Sequence, residues 1–348
     1  MIKPIIIGDI KLKSNLFLAP MSGVTNIAFR RLCRNHGAGL CFTEFANSHS
    51  ILNMPLEENK RLKTDINDKP LGIQIFGNDE ESLGKAAKEV ELLSDLIDMN
   101  LGCPAYKIIR TGCGSELLRE PEKLQKIIKK IIDSVKKPVS VKIRSGIDGN
   151  NINAVHIAKL CENVGVKMIT VHARTQKKGY SGKADFSIIK KVKEAVNIPV
   201  IGNGDIISYE TAIEMFEKTN CDGIMIGRGA RTNPAIFNEI KYGTKIDKID
   251  LLLEYIELCK KYNLSIRDLK IPAMGIMHGF TGAIKIRERL SSVKNYEDMK
   301  GIITLNEFFY FYFYIINYFF TCTFNINSDY ILCAAASCIN PEIFMINR

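Results

Sequence analysis

Residues 139–146 read VSVKIRSG, a short β-branched run with Lys142 set into it and Gly146 closing it. A lysine inside a buried strand is costly unless its ammonium meets a partner or reaches solvent past the strand's end. Seven further runs share this build: NLFLAP (15–20), LCFTEF (40–45), LGIQIFG (71–77), LIDMNLG (96–102), MITVHAR (168–174), PVIGNGD (199–205) and GIMIGRG (223–229). Each is apolar, short and bounded by Gly, Pro or polar residues, the pattern of strands buried in a parallel sheet.

Helical patterns lie between most of these runs. DEESLGKAAKEVELL puts Leu83, Ala86, Ala87, Val90 and Leu93 on one face, and PEKLQKIIKKIIDSV does the same with Ile127, Ile128, Ile131 and Val135 behind a first-turn Pro121. DFSIIKKVKEAV and SYETAIEMFEK repeat the logic, with Asp185 and Ser208 as N-caps. Eight strands alternating with helices predict a (β/α)8, or TIM, barrel. The rival is a doubly wound open sheet, which would carry G-x-G-x-x-G after its first strand. Here the first strand runs into APMSGVTN, and that motif occurs nowhere. Gln74, Asn100, Lys142, His172, Asn203 and Arg228 fall at or just beyond strand C-termini, the end where barrel active sites form.

The 348 residues suit a large α/β domain plus a smaller one. The expected division is a barrel over 1–243, a helical domain over 244–305 and an atypical tail over 306–348. In the helical domain, six Lys/Arg stand against two acids between Arg267 and Lys294. In the tail, FFYFYFYIINYFF (308–320) packs ten of the 29 aromatics into thirteen residues, with neither helical nor strand periodicity. It is too short for a membrane span and has the look of a frameshifted or read-through terminus. The start, MIKPIIIGDIKLKSN, lacks the apolar core of a secretory signal. Ten cysteines include no C-x-x-C pair, and no two histidines fall at H-x-x-x-H. These features predict a cytoplasmic protein with no membrane anchor, metal site or disulfide framework, and a monomer is expected. The net charge of +10 fits either a lysine-rich solvated surface or a polyanionic partner, and charge alone does not choose.

IGNGDI (201–206) and IGRGARTNP (226–234) are glycine-rich turns after the last two strands, the common phosphate site of barrels, where Arg228 adds a fork of donors. Lys142 at the barrel mouth can stabilise an anionic reduced flavin, and Gln74 suits the uracil-like edge of the same ring. Asn100 can serve the ring or a substrate. Cys103 follows the fourth strand, on a loop at the same face. A thiol with pKa ~8.5 stays protonated at neutral pH and suits a general acid; a small buried residue is the other reading of Cys103.

APMSGVTN, GIQIFG, MNLGCPAYKIIRTGCGSELLREP, VKIRSG, VHARTQKKGYSGKADF, IGNGDI and IGRGARTNP occur in that order. Together they resemble the tRNA-dihydrouridine synthases, in particular the bacterial branch, over residues 1 to about 240. The resemblance implies an FMN barrel that reduces the 5,6 double bond of selected uridines in tRNA, with NADPH or NADH re-reducing the flavin. It implies that Cys103 protonates C5 of the uracil. It implies cofactor contacts at Pro20, Met21, Ser22, Gln74, Lys142, His172, Asn203, Gly204, Asp205, Gly227 and Arg228, and substrate contacts at Asn100, Lys107, Arg144 and Arg174. Cys113 stands where the family often has a small residue, which reads as tolerated packing and not as a second acid. Two alternatives remain at this point: an FMN barrel reductase of a free pyrimidine or another small activated alkene, and a non-catalytic RNA-binding protein.

Overall fold

The computed structural model describes residues 1–279, 283–296 and 298. Eight parallel strands form its centre: β1 Leu16–Leu18, β2 Leu40–Phe42, β3 Leu71–Phe76, β4 Leu96–Leu101, β5 Val139–Arg144, β6 Met168–His172, β7 Val200–Asn203 and β8 Gly223–Ile226. Each pairs with its chain neighbours, β8 pairs with β1, and the ring is closed through β2 and β3 with Cys41 opposite Leu71. All eight sequence-predicted runs are strands of this barrel.

A helix follows every strand: α1 Ile27–Asn35, α2 Ser48–Leu52, α3 Glu80–Val90, α4 Pro121–Ser134, α5 Ala154–Val164, α6 Phe186–Ala195, α7 Tyr209–Thr219 and α8 Ile236–Tyr242. Their starts follow local chemistry. Asp185 caps α6 by accepting the Ser187 N–H, Ser208 and Thr211 form a capping box on α7, and Pro121 opens α4. The predicted residues Leu83, Ala86, Ala87 and Val90 on α3 and Ile127, Ile128 and Ile131 on α4 are buried, and Leu124 joins the second stripe. Leu93 and Val135 lie just past their helices and are half-buried.

Successive strand residues point to opposite sides. Ile97, Met99, Val141, Ile143, Ile169 and Val171 lie on the helix side, all buried. The interior set begins with Leu40, Leu96, Met168 and Ile201 near the N-terminal ends, which pack with Ile5, Ile7 and Leu12. Those three belong to an N-terminal antiparallel hairpin, Ile5–Ile7 with Ile10–Leu12, joined through Gly8–Asp9. The hairpin covers that end of the barrel. The sequence reading passed over the hairpin, although a Gly-Asp pair between apolar runs is a hairpin signal.

After α8 the chain is helical: α9 Lys248–Lys261, α10 Ile266–Ile276 and α11 Ala283–Ser292. The stretch LKIPAMGIMHGFTGAIKIRERLSSV (269–293), within the region expected to be helical, holds the C-terminal part of α10 and all of α11, with a turn at Met277–Gly279 after α10. α9 packs on α1. Tyr255 meets Phe29 edge-on at 6.0 Å and its hydroxyl accepts from Asn26 Nδ2 at 2.9 Å, while Glu254 accepts from Asn35 at 2.8 Å. Residues 1–296 form one compact unit. The tail expected over 306–348 lies outside the described residues.

Candidate active site

The barrel interior turns polar toward the C-terminal ends of the strands. Gln74 on β3, Asp98 and Asn100 on β4, Ser140 and Lys142 on β5, Thr170 and His172 on β6 and Asn203 on β7 alternate with the apolar outward residues and are in register: Gln74 pairs with Asp98, Asp98 with Ser140, Asn100 with Lys142, Lys142 with Thr170, and His172 with Asn203. A buried polar layer survives only if its members satisfy one another. Gln74 Nε2 donates to Asp98 at 2.6 Å, Ser140 Oγ donates to the other Asp98 oxygen at 2.5 Å, and Asn100 Nδ2 donates to Gln74 Oε1 at 2.7 Å. Burial pushes the Asp98 carboxyl up to about 6, against its two hydrogen bonds and the Lys142 charge.

Lys142 has no hydrogen bond or ion pair among the described residues. Burial, and then the charge of Arg144, bring its ammonium down to about 8, with Asp98 acting the other way. Burial and the cations Lys142, Arg144, Arg174 and Arg228 push the His172 imidazole far below its ordinary value, so it is neutral. Asn203 Nδ2 donates to the Met225 carbonyl at 2.7 Å and ties β7 to β8.

Cys103 stands on the loop after β4. Asn100 Oδ1 accepts its N–H at 2.9 Å and that of Gly102 at 3.2 Å, and its carbonyl accepts from Ser115 Oγ at 2.8 Å. Gly114 lets this loop double back: a Cβ there would lie 2.9 Å from the Cys103 carbonyl oxygen. Burial pushes the thiol up, outweighing the Ala105 N–H and the Arg144 and Lys142 charges, so it is protonated at neutral pH. Cys103 is the one partly exposed cysteine among the described residues. Cys113 is buried, and its thiol donates to the Thr111 carbonyl at 3.6 Å. The two cysteines share a loop and differ in environment. Lys107 is exposed on a short helix, Tyr106–Ile109, beyond Cys103.

Arg144 and Arg174 are buried, at 1% and 3% exposure. Arg144 donates to the carbonyls of Gly102, Thr175 and Gly179 at 2.7–2.9 Å, pinning the β6 loop to the Cys103 loop. Arg174 donates to the Ser181 and Gly182 carbonyls and to both Asp205 oxygens at 2.8 Å. Neither guanidinium stands free at the mouth. Both hold the β6 loop so that Tyr180 lies exposed above it, with Arg144 and Arg228 5.6 and 5.3 Å from its ring centre and His172 at 6.1 Å.

At the β7–β8 side the wall is made of turns. Gly204 has φ +135°, and a Cβ on it would fall 2.8 Å from that of Ala184. Asp205 is left-handed at φ +53°. Burial works to raise its carboxyl, but the Ala184 N–H and the Arg174 and Arg228 guanidiniums outweigh it and hold it below the usual range. Arg228 donates to it at 3.0 Å and remains half exposed. Gly227 sits beside the β1 turn, its missing Cβ 3.5 Å from Ala19 and 3.7 Å from Met21 sulfur. In that turn Pro20 and Met21 are half-buried and Ser22 is exposed.

The residue set fits a ring-and-phosphate cofactor. Thr170 Oγ1 and Arg174 Nη1 are buried without a partner, and the half-buried Lys142 makes no hydrogen bond or ion pair among the described residues. These three groups supply donors of the kind a flavin and its phosphate accept. The sequence reading missed Asp98, Ser140, Thr170 and Tyr180. The first three carried a signal, since Asp98 shares strand parity with Asn100, Ser140 with Lys142 and Thr170 with His172. Tyr180 carried none, because a loop side chain obeys no period.

Residues 17–299 match the family described as "Dihydrouridine synthase (Dus)". The chain belongs to that family. It is 41% identical over 249 residues to the tRNA-dihydrouridine synthase B of Pasteurella multocida, covering 71% of this chain and 74% of that one. It is 39% identical over 270 residues to a probable tRNA-dihydrouridine synthase of Rickettsia conorii, covering 74% and 81%. Among solved structures, a histamine dehydrogenase from Rhizobium sp. 4-9 superposes with a TM-score of 0.55 at 14% identity, over 73% of this chain and 50% of that one, a likeness of fold. The polar layer described above lies toward the C-terminal ends of the barrel strands. Among the described residues no cluster of metal-ligating side chains occurs, and no helix is long and apolar enough to cross a membrane.

Proposed function

We propose that this dihydrouridine synthase reduces the 5,6 double bond of particular uridines in tRNA, with FMN in the barrel mouth and NADPH or NADH as reductant. The reading is carried by one observation: a protonated, half-buried thiol at Cys103 is hung from Asn100 beside the unpartnered ammonium of Lys142. When bound, FMN supplies hydride to C6 of the uracil. Cys103 holds the proton that C5 then requires. A thiol raised above its ordinary value keeps that proton until a strongly basic carbon develops nearby, which suits a general acid better than a nucleophile.

Lys142 would stabilise the electron-rich edge of the flavin when it is bound, with the Gln74 amide on the same wall. Neutral His172 would offer the flavin or the base a hydrogen bond without adding charge. Arg228 and the turns at Gly204 and Gly227 hold the phosphate end, bordered by Pro20, Met21 and Ser22. Asp205 is negative, so its part is to orient Arg228 and Arg174 rather than to touch a phosphate. Arg144 and Arg174 act on the substrate through the β6 loop they clamp. Tyr180 offers an aromatic face to a uridine turned out of its stack, which a site this deep requires. Asn100 and Lys107 stand on the path of the incoming nucleotide.

Residues 244–305 serve as the tRNA-binding domain, and the excess of basic residues suits phosphate contacts. We place the protein in the cytoplasm, acting as a monomer. The purified protein is expected to be yellow, with the absorbance bands of FMN. Transfer RNA from a strain lacking the gene should lose dihydrouridine at one or more positions and regain it on complementation. A colourless protein that takes up no FMN, or unchanged tRNA, would overturn the reading.

A further inference from the structure

Asp98 has no part in the reaction just described, yet it is wholly buried in the barrel interior, two residues before Asn100 on β4. An ionised carboxylate only accepts hydrogen bonds. Its two oxygens take Gln74 Nε2 at 2.6 Å and Ser140 Oγ at 2.5 Å. The Gln74 amide therefore has one admissible orientation, NH2 toward Asp98 and Oε1 away. That oxygen takes Asn100 Nδ2 at 2.7 Å. Asn100 is in turn fixed with Oδ1 toward the loop, where it accepts the N–H groups of Gly102 at 3.2 Å and Cys103 at 2.9 Å. The donors and acceptors run one way, from a carboxylate at the base of the polar layer to the backbone of the cysteine at its rim.

We propose that Asp98 is a positioning residue for Cys103, setting the amide orientation of Gln74 and Asn100 and through them the place of the thiol. The proposal rests on the reading of Cys103 as the proton donor. A neutral side chain would fill the same space at lower cost, since burying a carboxylate is unfavourable unless it is well paired. What an apolar residue would not do is choose between the two faces of the Gln74 amide.

The test compares the purified flavoprotein with its Asp98→Ala and Asp98→Asn variants. Two quantities are read: kcat and KM for tRNA, and the rate of iodoacetamide alkylation at the Cys103 peptide, followed by mass spectrometry. In Asp98→Ala, Gln74 Nε2 loses its partner and the relay loses its polarity. The expected result is a kcat about tenfold to a hundredfold lower with KM little changed, the order that misplacement of a reacting group costs. Alkylation of Cys103 is expected to be faster, because a loosened loop exposes the thiol.

Asp98→Asn should restore both, because an amide oxygen there still accepts from Gln74 while its NH2 can donate to the rotatable Ser140 hydroxyl. Asp98→Ser, which keeps a hydroxyl for Ser140 but falls short of Gln74, replaces the alanine variant if that one does not fold. Unchanged alkylation and kcat in the alanine or serine variant would overturn the proposal. So would equal losses in the alanine and asparagine variants, which would assign the effect to charge. If the parent protein does not act on tRNA, the alkylation rates still decide the relay, so the two readings fail separately.

Discussion

On the β3–β5 wall of the mouth, side chains meet across the barrel interior: Asp98, Gln74 and Asn100 form a directed chain of hydrogen bonds with Lys142 beside it. On the β7–β8 wall, the strands end in turns at Gly204, Asp205 and Gly227, and the side chains are Asn203, tied to the β8 main chain, Asp205 and the half-exposed Arg228. On the first wall each strand position is fixed by its ladder, and Gln74, Asp98 and Asn100 are fixed by one another while Lys142 is left without a partner. The second is shaped by backbone conformations that few residues adopt. In the proposed reaction the first wall carries the chemistry, and the second holds the cofactor.

That contrast makes the two walls fail in different ways. Cys103→Ala should lower turnover on tRNA by about a hundredfold or more, the usual worth of a positioned general acid, while flavin content stays at the wild-type level. Loss of flavin in that variant would blur the division between walls. Gly204→Ala should do the reverse. Its φ of +135° and the 2.8 Å approach to Ala184 put the cost at about 1–3 kcal/mol, read as a lower melting temperature and weaker FMN retention. A variant that kept its flavin but lost turnover would contradict the assignment.

The buried Asp98 gives a pH signature. Its folded pKa of about 6 lies above the unfolded value of about 4. In that interval the native state therefore holds more protons than the unfolded chain, and stability falls as pH rises through it. Asp98→Asn should remove this slope, so melting curves of the two proteins should converge toward acid and separate toward neutrality; parallel curves would deny the shift. Lys142, held at about 8, acts oppositely: stability rises with pH from there toward the ordinary lysine value. The smallest effect is expected for Cys113→Ala, whose thiol makes one weak bond to the Thr111 carbonyl. Its stability should stay within about 1 kcal/mol of wild type and its turnover should be unchanged. A large loss of turnover would make the two cysteines a pair after all.

The β3–β5 wall was largely legible in the sequence, because strand parity is a strong constraint. Lys142, Asn100 and Gln74 stand out as polar residues in runs that are otherwise apolar, and one step of two residues from them finds Ser140 and Asp98. Cys103 was legible by its place after the fourth strand. The arginines were not. Arg144 and Arg174 look in the sequence like free cations near a site, and the structure turns both onto main-chain carbonyls. Which acceptors a long side chain meets depends on how the β6 loop folds back, and a loop leaves no periodic trace. The same holds for Tyr180. The hairpin covering the barrel's far end had a turn signal but no partner that the sequence could name.

The most direct test is to incubate the purified yellow protein with NADPH and tRNA made without modifications, then to map digested tRNA by mass spectrometry. The account predicts a gain of two hydrogens at one or a few discrete uridines, dependent on NADPH and nearly abolished in Cys103→Ala. No gain at any uridine, or the same gain with Cys103 replaced, would contradict it.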